Sequence, residues 1–169
     1  MNYIVIGTDC SGKTSLVNKL SEKLGVDVVK GSSFEHAQCT QGELFAKFLD
    51  FTDMDNVIFD RFSYCNAVYA PMYNDFALLS SGQRRIIEAR LMYKAIVIYL
   101  YADDEVLAAR FTNRGDDYVD LERLLKAKQM YEQELESVKY IPVIKFDTGK
   151  MSTDEIVEAI SSNTLKINK

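Results

Sequence analysis

Hydrophobic residues along the chain fall into short continuous runs that alternate with longer segments of helical spacing. Short runs rich in Val, Ile, Phe and Tyr are typical of strands that are buried on both faces of a sheet. The predicted strands are Tyr3–Ile6, Val26–Val29, Val57–Phe59, Ala95–Tyr101 and Pro142–Phe146.

The segments between these strands carry apolar residues three and four positions apart, which is the spacing of one helix face. In the first segment Leu16 and Leu20 share a face, and Gly25 marks its C-terminal end. Ser152 and Glu155 form the Ser-x-x-Glu capping box that opens the last helix. The predicted helices are Lys13–Leu24, Gly42–Phe51, two stretches after Asp60 of which the second covers Ser81–Tyr93, a helix containing Arg110, Leu121–Leu135, and a last helix through Ile160.

Strands that alternate with helices from end to end predict an α/β fold, with a parallel sheet covered by helices on both faces. Ligands on such sheets bind at the carboxyl ends of the strands. Because no linker or repeat divides the chain, residues 1–169 are expected to form a single domain.

The chain has 169 residues, of which 47% are hydrophobic, and its net charge is −5. A protein that binds long nucleic acids usually has a basic excess, so no nucleic acid polymer is expected as partner. The longest apolar run, Ala95–Ala102, is too short to span a membrane. A strand starting at Tyr3 leaves no room for a signal peptide, and the cysteines form no Cys-x-x-Cys pair, so a cytoplasmic protein with reduced thiols is expected. The sequence is compatible with a homodimer and does not determine the oligomeric state.

The first turn of the chain fits the P-loop pattern Gly-x4-Gly-Lys-[Ser/Thr], with a strand before it and a helix after it. Its amide groups and the start of the helix at Lys13 are suited to bind phosphate. The Lys13 ammonium can reach the β- and γ-phosphates, and the Thr14 hydroxyl can ligate Mg²⁺. We therefore expect Mg²⁺ and a phosphoryl donor, ATP or GTP. The predicted nucleotide-binding residues here are Gly7, Asp9, Cys10, Ser11, Gly12, Lys13, Thr14 and Ser15.

Asp60 and Arg61 follow directly after the third predicted strand. A carboxylate at that place faces the P-loop and can hold Mg²⁺ directly or through water, as Asp60 is expected to do. The adjacent Arg61 can bridge the donor and acceptor phosphates. The alternative interpretation is an exposed surface ion pair.

Arg110 and Arg114 are four residues apart, which places them on one face of a helix. Gly115 then ends the helix, and Asp116 and Asp117 follow. Two guanidinium groups on a lid over roughly 110–120 would neutralise charge on a transferring phosphoryl group. The alternative is a solvated helix face.

Several of these segments resemble known kinases. The P-loop with an aspartate, Gly7-x-Asp9, and the run Asp60-Arg61-Phe62-x-x-Cys65-x-x-Val68-Tyr69 resemble thymidylate kinases, which usually have Asp-Arg-aromatic-x-x-Ser-x-x-Ala/Val-aromatic. Further similarity to thymidylate kinases and deoxynucleoside kinases lies in Tyr99-Leu100 through Arg110 and Arg114-Gly115, and in Asp147-Thr148 followed by Glu155-Ile156-Val157.

The resemblance spans residues 7 to 160 and implies a P-loop NTPase fold, with a five-stranded parallel sheet in the order 2-3-1-4-5 and a short lid. It also implies that Asp9 contacts the 3′-hydroxyl of the acceptor sugar and that Asp147 belongs to the donor site. Three features depart from the family. Cys65 stands where serine is usual, the segment between Gly42 and Val57 is shorter, and Ser33-Phe34-Glu35 replaces Arg-Phe-Pro or Arg-Glu-Pro.

The arginine that would grip an acceptor phosphate is therefore missing from that last segment. Arg84, Arg85 and Arg90 on a predicted helix are the candidates to replace it. Aromatic residues are available to stack on a base, or else belong to the core. They are Phe34, Phe62, Tyr64, Tyr69 and Tyr73.

Glu35 distinguishes two acceptors. It lies near the place where deoxynucleoside kinases keep a catalytic glutamate, and a 5′-hydroxyl needs such a base because it must lose a proton. A monophosphate acceptor is already anionic and needs only cations. The Asp60–Tyr69 run favours a deoxynucleoside monophosphate, dTMP-like, and a deoxynucleoside kinase is the alternative. A nucleotide-binding switch is a more distant hypothesis, since the chain has no Asn-Lys-x-Asp motif, and so is another small-molecule P-loop kinase.

Overall fold

The sheet of the computed structural model, which describes residues 1–32, 36–73, 77–114 and 120–167, has five parallel strands. Their order is β2-β3-β1-β4-β5, as the resemblance to P-loop kinases implied. The strands are β1 Asn2–Gly7, β2 Asp27–Lys30, β3 Val57–Asp60, β4 Ala95–Tyr101 and β5 Val143–Asp147.

Seven helices connect and follow these strands in the described ranges: α1 Lys13–Leu24, α2 Gln41–Thr52, α3 Ser63–Tyr69, α4 Ser81–Arg90, α5 Asp104–Arg114, α6 Leu121–Glu136 and α7 Thr153–Ile167. Gly25 ends α1 in the left-handed conformation, as predicted, and its N–H donates to the Ser21 carbonyl. The prediction that α4 continues to Tyr93 is wrong. The helix ends at Arg90 because the chain turns there, and Tyr93 has a φ of 64°, which no α-helix accepts.

Successive side chains of the central strands point to opposite faces of the sheet, so each strand contributes to two hydrophobic layers. On β1, Ile4 and Ile6 join the layer under α2, α3, α4 and α6. Tyr3 and Val5 join the layer under α1 and α7. Helices therefore cover both faces of the sheet, as expected. Strands buried on both faces have continuous apolar runs, which is why such runs predicted them.

The register of the sheet brings three strand ends together. Val5 of β1 and Lys30 of β2 both lie opposite Asp60, the last residue of β3. The loop after β1 and the ends of β2 and β3 consequently share one edge of the sheet. Among the described residues no helix is long and apolar enough to cross a membrane.

Candidate functional site

The loop between β1 and α1 has a backbone that requires glycine at two positions. A Cβ added to Gly7 would lie 2.4 Å from the carbonyl oxygen of Leu100, so any side chain there would clash with β4. Gly12 has a φ of 88°, and Cys10 also has a positive φ of 61°. Gly12 is the N-cap of α1 and has no side chain that could cap it. The first amide groups of α1 are therefore available to an anion, which is the property predicted for a P-loop.

A cavity of about 570 Å³ lies over this loop. Five cationic side chains and two carboxylates line it, together with small residues of the loop and of α1. The lining residues are Asp9, Cys10, Gly12, Lys13, Thr14, Ser15, Lys30, Asp60, Arg61, Arg110 and Arg114. The excess of cations suits a polyanionic ligand, because the low-dielectric walls of a cavity strengthen the attraction between the cations and the ligand.

Lys13 is the most buried cation of the cavity, with 7% of its side chain exposed. Its Nζ donates to the Thr8 carbonyl and lies 3.9 Å from a carboxylate oxygen of Asp9. Burial and the nearby charge of Arg61 together lower the pKa of Lys13 to about 8, against the opposing effect of Asp9. A phosphate bound at this ammonium would offset the cost of keeping it charged.

Asp9 and Arg61 form an ion pair across the cavity floor. Arg61 Nη2 donates to Asp9 Oδ1 at 2.7 Å, and the guanidinium lies 5.2 Å from the centre of the Tyr69 ring. Burial raises the pKa of Asp9, but Lys13 and Arg61 together outweigh it and hold that pKa below its ordinary value. Asp9 is therefore an anion at neutral pH and fixes the direction of Arg61.

Tyr69 has its ring face covered by Arg61, so it supports the guanidinium rather than offering an open stacking surface. Beneath it, the Tyr131 hydroxyl donates to the Cys65 thiol at 3.0 Å. Cys65 is 1% exposed, so the residue that replaces the usual serine faces the core. Phe62 and Tyr64 are also core residues, with 0% and 4% exposed.

Asp60 and Thr14 supply oxygen atoms to the same cavity. Asp60 is 8% exposed, and its carboxylate accepts a hydrogen bond from Lys30 Nζ. One carboxylate, one hydroxyl and the phosphate oxygens of a nucleotide form the kind of ligand set that Mg²⁺ accepts in P-loop proteins. Within the described ranges no cluster of three or more His, Cys, Asp and Glu residues could hold a metal by itself.

Arg110 connects α5 to the P-loop and to the loop after β5. Its Nη1 donates to the Cys10 carbonyl at 3.2 Å and to the Thr148 hydroxyl at 2.8 Å, and its Nη2 donates to the Thr148 carbonyl at 2.6 Å. Arg114, one turn later, lines the same cavity at the end of α5. Residues 115–119, which complete the predicted lid, lie outside the described residues.

A second cavity of about 400 Å³ adjoins the first on the side of β4 and β5. It shares Cys10, Gly12 and Arg110 with the first cavity. Its other lining residues are Leu16, Leu100, Thr148, Met151, Ser152, Thr153 and Ile156. Apolar walls with a few polar groups are typical of a pocket for a flat heterocycle.

Three other predicted site residues, Gly7, Ser11 and Asp147, line neither cavity and contact neighbouring parts of the chain. Gly7 and Ser11 shape the loop, and the buried Ser11 hydroxyl donates to the Thr8 carbonyl at 2.7 Å. Asp147 ends β5, accepts from the Gly149 N–H at 2.9 Å and pairs with Lys150. It lines neither cavity, although its neighbour Thr148 lines the second. Phe34 and Glu35 lie outside the described residues.

Two of the three α4 arginines that were candidates to bind the acceptor phosphate, Arg84 and Arg90, pair with other parts of the chain. Arg84 Nε lies 3.0 Å from Glu134, and its Nη1 donates to the Leu79 carbonyl. Arg90 pairs with Asp53, so both guanidiniums tie α4 to neighbouring elements instead of lining the cavity.

Lys30 is a cavity residue that sequence reasoning missed. The strand was predicted to end at Val29, one residue too early. A basic residue at the carboxyl end of a parallel strand was the signal that could have identified it.

No protein family model matches the chain. The YorR protein of Bacillus subtilis strain 168, described as SPbeta prophage-derived and uncharacterized, is 40% identical over 161 residues, which is 95% of this chain and 97% of YorR. A crystal structure of YorR in complex with phosphorylated GDP matches with a TM-score of 0.93 and 36% identity, covering 100% of this chain and 99% of YorR.

More distant structures share the fold. Deoxyadenosine kinase from M. mycoides, with dCMP and dCDP bound, has a TM-score of 0.62 at 19% identity, covering 99% of this chain and all of that chain. Shikimate kinase from Acinetobacter baumannii, in complex with shikimate, also has a TM-score of 0.62, at 16% identity, covering 98% and 93% of the two chains. The chain thus has the fold of P-loop kinases, and it belongs to the same family as Bacillus subtilis YorR.

Proposed function

We propose that this protein is a Mg²⁺-dependent nucleotide kinase that transfers the γ-phosphoryl group of a nucleoside triphosphate to a deoxynucleoside monophosphate. An acceptor phosphate oxygen would attack the γ-phosphorus, and the bond to the β,γ-bridging oxygen would break. The observation that carries the proposal is a single cavity at the carboxyl edge of the sheet that combines Lys13 on the P-loop with the ion pair between Asp9 and Arg61.

The donor would lie over the P-loop, with its base towards β4 and β5. Lys13 and the first turn of α1 would bind the β- and γ-phosphates, and Thr14 and Asp60 would hold Mg²⁺. The second cavity, which Arg110 and Thr148 line, would take the base. The complex of YorR with phosphorylated GDP supports testing GTP as donor beside ATP.

The acceptor would occupy the opposite half of the first cavity, at the ends of β2 and β3. The order β2-β3-β1-β4-β5 puts the P-loop between the two halves, so the two substrates can meet over it. Arg61, whose direction the hydrogen bond to Asp9 fixes, would lie on the acceptor side. A guanidinium at that place would offset the repulsion between two phosphates, which a neutral nucleoside would not create. A dTMP-like acceptor is the form favoured by the thymidylate kinase resemblance of residues 60–69.

A deoxynucleoside kinase is the second candidate. Glu35 belongs to the segment Ser33-Phe34-Glu35, which replaces the arginine-containing segment of thymidylate kinases and carries no cation. In that reaction Glu35 would take the proton of the 5′-hydroxyl.

A phosphoryl-transfer screen separates the two candidates. ATP and GTP are each offered with the common deoxynucleoside monophosphates and, in parallel, with the matching deoxynucleosides, and products are identified by mass. We expect deoxynucleoside diphosphates as products. Monophosphates formed from nucleosides alone would contradict the proposal, and shikimate serves as an unrelated acceptor for comparison.

A further inference from the structure

Lys30 offers a cation to the acceptor half of the cavity from the end of β2. We propose that Lys30, together with Arg61, binds the phosphate of the acceptor and so makes the site select a deoxynucleoside monophosphate over the nucleoside. This inference rests on the proposed function, because it names the residue that would set the substrate class of the same site.

The side chain is placed to reach a ligand. Lys30 lies opposite Asp60 in the sheet register, and its Nζ donates to the Asp60 carboxylate. The side chain is 58% exposed and lines the cavity together with Arg61. An ammonium group has three donors, so two remain for phosphate oxygens after the bond to Asp60.

The backbone holds Lys30 and Arg61 beside each other. Gly31 N–H donates to the Asp60 carbonyl at 3.1 Å, and a Cβ added to Gly31 would lie 2.5 Å from the carbonyl oxygen of Arg61. Only glycine allows the chain after β2 to approach Arg61 so closely. The two cations therefore come from neighbouring strand ends with a fixed separation between their backbones, as a shared anion requires.

The site needs a further cation beside the acceptor phosphate, and Lys30 can supply it. Asp9 pairs with Arg61 and offsets much of its charge. Asp60, the other carboxylate of the cavity lining, accepts a hydrogen bond from Lys30 and is also the expected metal ligand. An acceptor phosphate that approaches a γ-phosphate needs additional positive charge on its own side. The segment where the resembling kinases carry that charge holds Ser33, Phe34 and Glu35, which supply none.

Binding measurements without a donor test this role. Each common deoxynucleoside 5′-monophosphate and its nucleoside are titrated calorimetrically into the wild type, Lys30→Met, Lys30→Arg and Lys145→Met. Lys145 is an exposed lysine on β5, at the other edge of the sheet, and serves as the matched control. We expect Lys30→Met to weaken the best monophosphate by about tenfold to a hundredfold, the usual effect of losing a charge-assisted hydrogen bond.

The nucleoside should bind Lys30→Met within about twofold of the wild type, and Lys30→Arg should restore most of the monophosphate affinity. Equal losses for nucleoside and monophosphate, an unchanged monophosphate affinity, or a wild type that binds no monophosphate would overturn the inference. ATP and GTP are titrated separately into the wild type and Lys30→Met, and a loss of donor affinity as large as the loss of monophosphate affinity would also overturn the inference. A wild type that transfers phosphate only to nucleosides would refute the proposed function and the inference together, whereas transfer to a monophosphate whose affinity is unchanged in Lys30→Met would overturn the inference alone.

Discussion

Replacing Lys13 with methionine should stabilise the folded protein at neutral pH while it abolishes phosphoryl transfer. The side chain is 7% exposed, and burial with the nearby Arg61 lowers its pKa from 10.5 to about 8 despite the opposing charge of Asp9. That change corresponds to about 3 kcal/mol that opposes folding while Lys13 is charged. The methionine keeps the apolar stem and removes this cost.

The variant also loses the hydrogen bond from Lys13 to the Thr8 carbonyl, worth about 1 kcal/mol. The net gain at pH 7 is therefore about 2 kcal/mol, which raises Tm by about 4–8 °C in a domain of this size. Because the unfolded lysine keeps its proton up to about pH 10.5, the wild type becomes more stable as pH rises from 8 to 10.5. The advantage of Lys13→Met should disappear across that window and then reverse.

Thermal unfolding of both proteins between pH 6.5 and 10.5 measures this difference. Lys19→Met is the matched control, since Lys19 lies on the same helix α1 and is 47% exposed in a surface pair with Asp154. That control should change stability little, because surface pairs contribute about 1 kcal/mol or less. A Lys13→Met protein that is less stable at pH 7, or a stability difference that does not vary with pH, would contradict the cost assigned to burying the Lys13 ammonium.

Three further predictions concern the lid and the acceptor. Arg114→Ala should lower kcat about a thousandfold with little change in donor affinity, because its charge acts on the transition state; equal and mild effects on both constants would mark a solvated helix face. Arg110→Ala should lower kcat and also weaken donor binding severalfold in calorimetry, because Arg110 joins the P-loop to Thr148; unchanged donor affinity would contradict this. Glu35→Gln should cost about tenfold or less in kcat with a monophosphate acceptor, whereas a loss of about a hundredfold to ten-thousandfold, together with activity on thymidine, would favour the nucleoside kinase.

Much of the fold could be predicted from sequence because its signals are local. A run such as Ala95–Tyr101 is buried on both faces, so continuous hydrophobicity alone identified the strand with its observed bounds. The P-loop was recognisable because the backbone requires glycine at Gly7 and Gly12, so the motif keeps these two glycines at a fixed spacing. The end of α4 was not predictable, since a left-handed Tyr93 leaves no pattern in residue types.

The site was harder to predict, because ion pairs between distant elements decide which charges face the cavity. Arg84 and Lys30 look alike in sequence, as basic residues near predicted elements. Arg84 forms an ion pair with Glu134 on α6, 50 residues away in the chain. Lys30 lies beside Asp60 because β2 pairs with β3. Helical or strand periodicity carries no information about either partner.

The fate of the γ-phosphoryl group shows directly whether the protein is a nucleotide kinase. Triphosphate labelled at the γ-position is incubated with Mg²⁺, the protein and each deoxynucleoside monophosphate or, in parallel, each deoxynucleoside, and the labelled products are separated. We predict label in a deoxynucleoside diphosphate, dependence on Mg²⁺, and no transfer by Lys13→Met. Label found only in inorganic phosphate, or only in monophosphates made from added nucleosides, would contradict the claim that this cavity joins a triphosphate to a monophosphate acceptor.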